Sequence, residues 1–106
     1  MHQDIFILVK HKFLKRVNTR DILLIESEAY YSKFTTTTGS YLINATLMQI
    51  EADLPADLFC RVHRSYIIPI SRIISIDDDV IQLDDKSIPF GKQYRENLLS
   101  RLKIFK

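Results

Sequence analysis

The chain has 106 residues, a length that supplies one hydrophobic core, so we expect a single domain over residues 1–106. An apolar fraction of 46% and a charged fraction of 26% argue against disorder, and a net charge of +2 is too small to identify a partner. Cys60 is the only cysteine, which excludes an internal disulfide, and every apolar run is far too short to span a membrane. We therefore expect a cytoplasmic protein.

Short strands are predicted throughout the first part of the chain. Runs rich in β-branched and aromatic residues indicate strands at 5–9, 12–17, 21–26, 31–37 and 41–43. The last two runs flank Gly39-Ser40, which predicts the turn of a hairpin.

A helix is predicted in the middle of the chain, at 46–54. Thr46 and Gln49 have the spacing of a capping box, in which each side chain satisfies the free backbone N–H of the other residue. Pro55 ends the element, and apolar residues recur within it at helical spacing: Leu47, Ile50 and Leu54.

The second part of the chain predicts more strands and a terminal helix. Strands are expected at 59–62 and 66–68, in a hairpin of 73–76 with 80–83, and at 87–90, where Pro89 indicates an edge strand or a strand end. A helix is expected from about residue 92, with its apolar residues at Tyr94, Leu98, Leu102 and Phe105. The whole pattern predicts a mostly β fold with one short central helix and a C-terminal helix.

Enzyme and metal chemistry find little support in the sequence. The three histidines, His2, His11 and His63, have no metal-ligand spacing, and the two glycines, Gly39 and Gly91, cannot form a glycine-rich phosphate loop. We therefore predict no catalytic residue, no metal, no cofactor and no small-molecule substrate.

Charge is unevenly distributed along the chain. Basic residues concentrate near both ends, and acidic residues concentrate between them at Glu51, Asp53, Asp57, Asp77, Asp78, Asp79, Asp84 and Asp85. A basic face opposed by an acidic face would suit a polyanionic ligand, and ordinary solvated charge would give the same pattern.

Three polar residues, His63, Arg64 and Ser65, interrupt the two predicted strands between Phe59 and Ile68. An arginine at the tip of a loop between rigid strands can donate two hydrogen bonds to a guanine edge. It can equally pair with a surface carboxylate, and the residues alone leave both readings open.

This run resembles the characteristic motif of the LytTR family, the DNA-binding output domain of many bacterial response regulators. The matching residues are Phe59, Arg61, His63, Arg64, Ser65, Tyr66, Ile67 and Ile68. Further similarity lies in 21–26, Tyr30-Tyr31, 46–55, Ile73, Ile76, Ile88-Pro89 and Tyr94, so the resemblance covers about residues 5–103. Two positions depart from the family pattern, Pro69 in place of a common Asn and Gly91 in place of a frequent Ser.

The resemblance implies an elongated fold of stacked β-sheets that inserts loops into successive major grooves of double-stranded DNA. It implies a transcriptional regulator, the output part of a two-component response regulator. The implied DNA contacts are Ser32, Lys33, Arg64, Lys92, Gln93 and Arg95. Arg64 and Lys92 are expected to read bases. Phosphate contacts, or contacts with both phosphates and bases, are expected for Lys33, Gln93 and Arg95. His63 and Ser65 are expected to position the loop, with a simply half-buried His63 as the alternative.

Other functions remain open at this point. The same fold could serve as a protein-interaction module without DNA binding, and a small-molecule-binding β domain would require a sizeable apolar pocket. Two copies on tandem DNA sites are a further expectation for the DNA-binding interpretation.

Overall fold

The computed structural model describes residues 4–106 and shows an elongated molecule with principal extents of 49 × 31 × 25 Å. His2, considered above as a metal ligand, lies outside the described residues. The elements in chain order are β1 (Asp4–Val9), β2 (Phe13–Asn18), β3 (Ile22–Glu28), β4 (Tyr31–Thr36), β5 (Gly39–Ile43), α1 (Leu47–Asp53), β6 (Phe59–His63), β7 (Tyr66–Pro69), β8 (Ser75–Ile76), β9 (Val80–Gln82), β10 (Ser87–Pro89) and α2 (Lys92–Leu99). The mostly β fold with two helices is confirmed.

The strands form three antiparallel sheets. The central sheet has the order β5-β4-β3-β7-β6, β1 pairs with β2, and the third sheet has the order β10-β9-β8. Pro89 therefore lies in an edge strand, where its missing N–H costs no hydrogen bond within the sheet.

The central sheet has a hydrophobic core on each face. Side chains alternate along its strands, so Leu24 and Ile25 in β3 point to opposite sides, as do Ile67 and Ile68 in β7. One face packs against β1, β2 and α1, and the other packs against β8–β10 and α2. This double burial explains why the strands near the middle of the chain are apolar on both faces.

Helix α1 begins as the sequence predicts. The Gln49 N–H donates to Thr46 Oγ1 at 3.2 Å, and the Thr46 N–H donates to Gln49 Oε1 at 2.8 Å, which completes the capping box. Leu54 is the C-cap, and Pro55 follows it directly.

The turn between β4 and β5 differs from the prediction. It lies at Thr37-Thr38, while Gly39 and Ser40 are already part of β5. The Thr36 hydroxyl donates to the Gly39 carbonyl at 2.8 Å and accepts the Thr38 N–H at 3.2 Å, so a threonine side chain holds the turn. Gly39 has a φ of 151°, a conformation that residues with side chains rarely adopt.

The C-terminal helix is also shorter than its hydrophobic pattern predicts. It ends at Leu99, and Phe105, predicted to lie on its apolar face, is 86% exposed. Arg101 Nη1 donates to the carbonyls of Ala56 and Phe59 at 2.6 and 2.8 Å, and Leu102 still packs against the second core. Contacts distant in sequence thus hold the chain after α2.

The two departures from the family pattern have different surroundings. Pro69 is buried at the end of β7 opposite Phe59, at the far end of this strand from Arg64. Gly91 is the N-cap of α2 and supplies no side-chain hydrogen bond. A Cβ at Gly91 would lie 3.0 Å from the Tyr94 ring, so a larger residue there requires the ring to shift.

Across residues 4–106, neither helix has the length and apolar composition needed to cross a membrane.

Candidate nucleic-acid interface

Arg64 lies at the exposed tip of the loop between β6 and β7. The Ser27 N–H donates to the Ser65 carbonyl at 3.0 Å, which ties this loop to the end of β3. Within residues 4–106, no carboxylate lies within ion-pair distance of the Arg64 guanidinium. The carboxylate pairing considered for Arg64 is therefore absent, and its side chain is available to a ligand.

Arg61 fixes the backbone that carries Arg64. Its Nε donates to the His63 carbonyl at 3.3 Å, and its Nη2 donates to the Arg64 carbonyl at 2.7 Å. The same guanidinium lies 4.0 Å from Glu51 Oε1 and 5.7 Å from the Tyr94 ring centroid. Hydrogen bonds from a charged donor are among the stronger ones in proteins, so these two bonds hold the loop backbone firmly. The contacts with Glu51 of α1 and Tyr94 of α2 link the loop to both helices. Sequence reasoning assigned Arg61 no role, although its place between Cys60 and Val62 in a buried strand required a partner for its charge.

His63 hydrogen-bonds to the backbone of the loop that carries Arg64. Its Nδ1 accepts the Ser65 N–H at 3.1 Å, and its ring lies 5.5 Å from the Tyr66 ring, centroid to centroid. This bond closes the turn beneath Arg64. The imidazole is half-buried, so the positioning role and the plain half-buried interpretation describe the same side chain.

Arg64 lines two hollows on the surface of the molecule. One, of about 590 Å³, extends to the β3–β4 turn and the start of α1. The other, of about 300 Å³, is bounded by His63 and the start of α2, including Lys92 and Gln93. Lys92 and Gln93 are exposed and line the second hollow together with Arg64, while Ser32 lines the first, so all three predicted contact segments border a hollow that Arg64 lines.

Lys33 lies near the same end of the central sheet but is partly neutralised. In the sheet, Lys33 of β4 lies opposite Glu26 of β3, and Glu26 lies opposite Tyr66 of β7, which is close to the Arg64 loop. The Lys33 Nζ lies 3.7 Å from Glu26 Oε1 and 3.4 Å from Glu28 Oε1, and the side chain is a third exposed. Neither hollow beside Arg64 includes Lys33.

Ser32 and Arg95 both bond to other residues of the chain. Ser32 is 1% exposed, and its hydroxyl donates to the Ala45 carbonyl at 2.7 Å. Strand alternation turns Ser32 into the core when Lys33 points outward. Arg95 Nη2 lies 3.1 Å from Asp78 Oδ1, and Arg95 Nη1 donates to the Asp77 carbonyl at 3.1 Å. Arg95 thus joins α2 to the acidic β8–β9 turn.

Cys60 belongs to the core, as the sequence indicates. It is buried, and burial raises the pKa of its thiol, so the reactive thiolate is disfavoured at neutral pH. In the part of the chain that the structure describes, no three His, Cys, Asp or Glu residues are grouped as metal ligands.

Known proteins resemble this chain in both sequence and fold. The family model for the LytTr DNA-binding domain matches residues 12–103. The sensory transduction protein LytT of Bacillus subtilis is 32% identical over 94 residues, which cover 83% of this chain and 39% of LytT. The CO-responsive transcriptional regulator RcoM of Rhodospirillum rubrum is 33% identical over 57 residues, covering 54% of this chain and 24% of RcoM. The chain therefore spans less than half the length of these relatives.

A solved structure has the same fold. It is the LytTr DNA-binding domain of a putative methyl-accepting/DNA response regulator from Bacillus cereus, with a TM-score of 0.81 at 19% identity. The match covers 98% of this chain and 100% of that chain. Because the family model matches most of the sequence, this chain belongs to the LytTR family of DNA-binding domains found in transcriptional regulators.

Proposed function

We propose that this domain binds double-stranded DNA sequence-specifically by inserting loops into the major groove. The observation that supports this proposal best is the Arg64 side chain, exposed and without a carboxylate partner among the described residues, on a backbone anchored by Arg61. Because Arg61 already holds the backbone at Arg64, binding need not order this loop, and the planar guanidinium of Arg64 matches the O6 and N7 acceptors of guanine.

The predicted contacts divide by chemistry. Arg64 and Lys92 read base edges, while Lys33 and Gln93 contact phosphates and set the position of the domain. Binding through Lys33 requires its ammonium to exchange one or both of its glutamate partners for a phosphate. Arg95 contacts a phosphate on the same condition, because its guanidinium must exchange Asp78 for that phosphate, and Ser32 is left out of this set because it is 1% exposed.

The larger protein context belongs to the same proposal. The domain acts as the output part of a two-component response regulator in the cytoplasm, and two copies occupy tandem DNA sites. The LytTR family is a family of DNA-binding regulators rather than of enzymes, and we propose no catalytic activity for this domain.

An interaction module is the second candidate, and one surface favours it. Phe6, Leu8 and Leu14 share the outer face of the β1–β2 hairpin, and each is more than half exposed. An apolar face of this kind is suited to another protein surface rather than to phosphate.

Selection of bound sequences from a pool of random DNA duplexes tests the proposal. The expected result is enrichment of a defined motif that contains at least one essential G·C pair. Non-specific binding without an enriched motif would overturn sequence-specific recognition and leave the interaction module as the better account.

A further inference from the structure

We propose that Tyr30 and Met48 form an apolar contact for the 5-methyl group of a thymine beside the base pair read by Arg64. This inference rests on the proposed function and adds a second source of sequence preference to it. Neither residue belongs to the contact set predicted from the sequence.

Tyr30 projects from the tip of the β3–β4 hairpin. A two-residue turn, Ala29-Tyr30, connects the paired residues Glu28 and Tyr31. Ala29 has a φ of 45°, in the left-handed region that only a few residue types adopt readily. Tyr30 is 89% exposed, so the turn presents an aromatic ring to solvent with almost no burial within the chain.

Met48 lies on the exposed side of the first turn of α1 and is 72% exposed. The Thr46–Gln49 capping box fixes the start of this helix and with it the position of Met48. Tyr30 and Met48 line the hollow of about 590 Å³ that Arg61 and Arg64 also line. Two large apolar side chains therefore share an open hollow with the proposed base-reading arginine.

The chemistry of the hollow selects thymine among the bases. Most atoms on the major-groove edges are hydrogen-bond donors or acceptors, and burying them against apolar side chains without compensation is unfavourable. The 5-methyl group of thymine is the apolar group on these edges, and apolar side chains contact it in other complexes. The flexible thioether of methionine suits the irregular surface around such a methyl group.

Replacement of thymine by uracil removes this methyl group and leaves the pairing edge unchanged. Each thymine of the selected DNA site is replaced in turn, and dissociation constants are measured for the wild-type domain and for the Tyr30→Gln/Met48→Gln double variant. We expect uracil at one position to weaken wild-type binding about fourfold, the effect expected for burial of one methyl group. The double variant should bind the thymine and uracil duplexes equally at that position.

Leu14→Gln is the matched control, because it also replaces an exposed apolar side chain but lies on β2, outside the hollow. This control should keep the fourfold preference for thymine. Wild-type binding that is indifferent to uracil at every position would overturn the inference, as would a double variant with the wild-type preference. A failed motif selection defeats the proposed function, whereas an enriched motif with neutral uracil substitutions defeats only this inference.

Discussion

Arg64 and Arg61 have opposite roles, although they stand three positions apart on one hairpin. The Arg61 guanidinium donates hydrogen bonds to the carbonyls of His63 and Arg64, whereas the Arg64 guanidinium extends from the loop tip. One arginine therefore builds the support for the other. This division predicts different consequences when each of them is replaced.

Arg64→Ala should weaken binding to the selected duplex by about 1–3 kcal/mol and relax the preference at one base pair, because a bidentate base contact is lost. Fluorescence anisotropy titrations against the selected site and its single-base variants measure both effects. Arg16→Ala removes an equal charge from β2, outside the predicted contact segments, and should leave the base preference intact. Unchanged affinity and preference in Arg64→Ala would contradict a reading role for Arg64.

Arg61→Lys should keep the charge but lose the fork that bonds two carbonyls at once. We expect faster hydrogen exchange at the amides of the 63–65 loop and weaker specific binding, with the fold retained. Hydrogen exchange resolved by NMR checks the first expectation. Loop amides that exchange at the wild-type rate would show that Arg61 does not order the loop.

Signals between residues close in sequence predict where an element begins or ends, but contacts between residues distant in sequence can change these bounds. The start of α1 was predicted correctly because Thr46 and Gln49, which cap it, are neighbours in sequence. The end of α2 was not predicted correctly, because Arg101, just after the helix, donates hydrogen bonds to Ala56 and Phe59, more than 40 residues away in sequence.

For the candidate DNA interface too, the sequence predicts the segment but not the surroundings of each side chain. The family motif pointed to the loop of Arg64, but it could not show that Ser32 faces the core. Nor could it show that Asp78 lies within reach of Arg95. Both outcomes depend on packing between segments that are remote along the chain.

The β1–β2 turn provides a prediction about stability. Lys10 and His11 have φ values of 53° and 58°, so two residues with long side chains adopt left-handed backbone here, and the Lys12 N–H donates to the Val9 carbonyl at 2.9 Å. Asn and Gly adopt this left-handed conformation more readily than Lys and His do. Replacement by Lys10→Asn with His11→Gly should raise the free energy of unfolding by about 1 kcal/mol, since positive φ is costly for most side chains. Urea denaturation measures the change, and a lower midpoint would contradict this turn geometry.

For the whole molecule, a net charge of +2 implies that DNA affinity depends on a few well-placed cations rather than on overall charge. Each phosphate contact releases condensed counterions, so it contributes to the dependence of affinity on salt. The position of Lys33, beside two glutamates, makes its contribution a specific test of how the domain lies on DNA.

Lys33→Gln should weaken binding to all duplexes by a similar factor and reduce the slope of log affinity against log salt by about 1. Lys15→Gln, on exposed β2, is the matched control and should leave the slope unchanged. Equal slopes for Lys33→Gln and the wild-type domain would remove Lys33 from the phosphate contacts.

Methylation interference at guanine N7 tests whether Arg64 reads a guanine in the major groove. Methylation of N7 blocks one of the two acceptors that a bidentate arginine uses. We predict that methylation of one guanine in the selected site prevents wild-type binding, and that Arg64→Ala becomes insensitive at that guanine alone. An Arg64→Ala variant with the full wild-type interference pattern would show that Arg64 does not read a guanine.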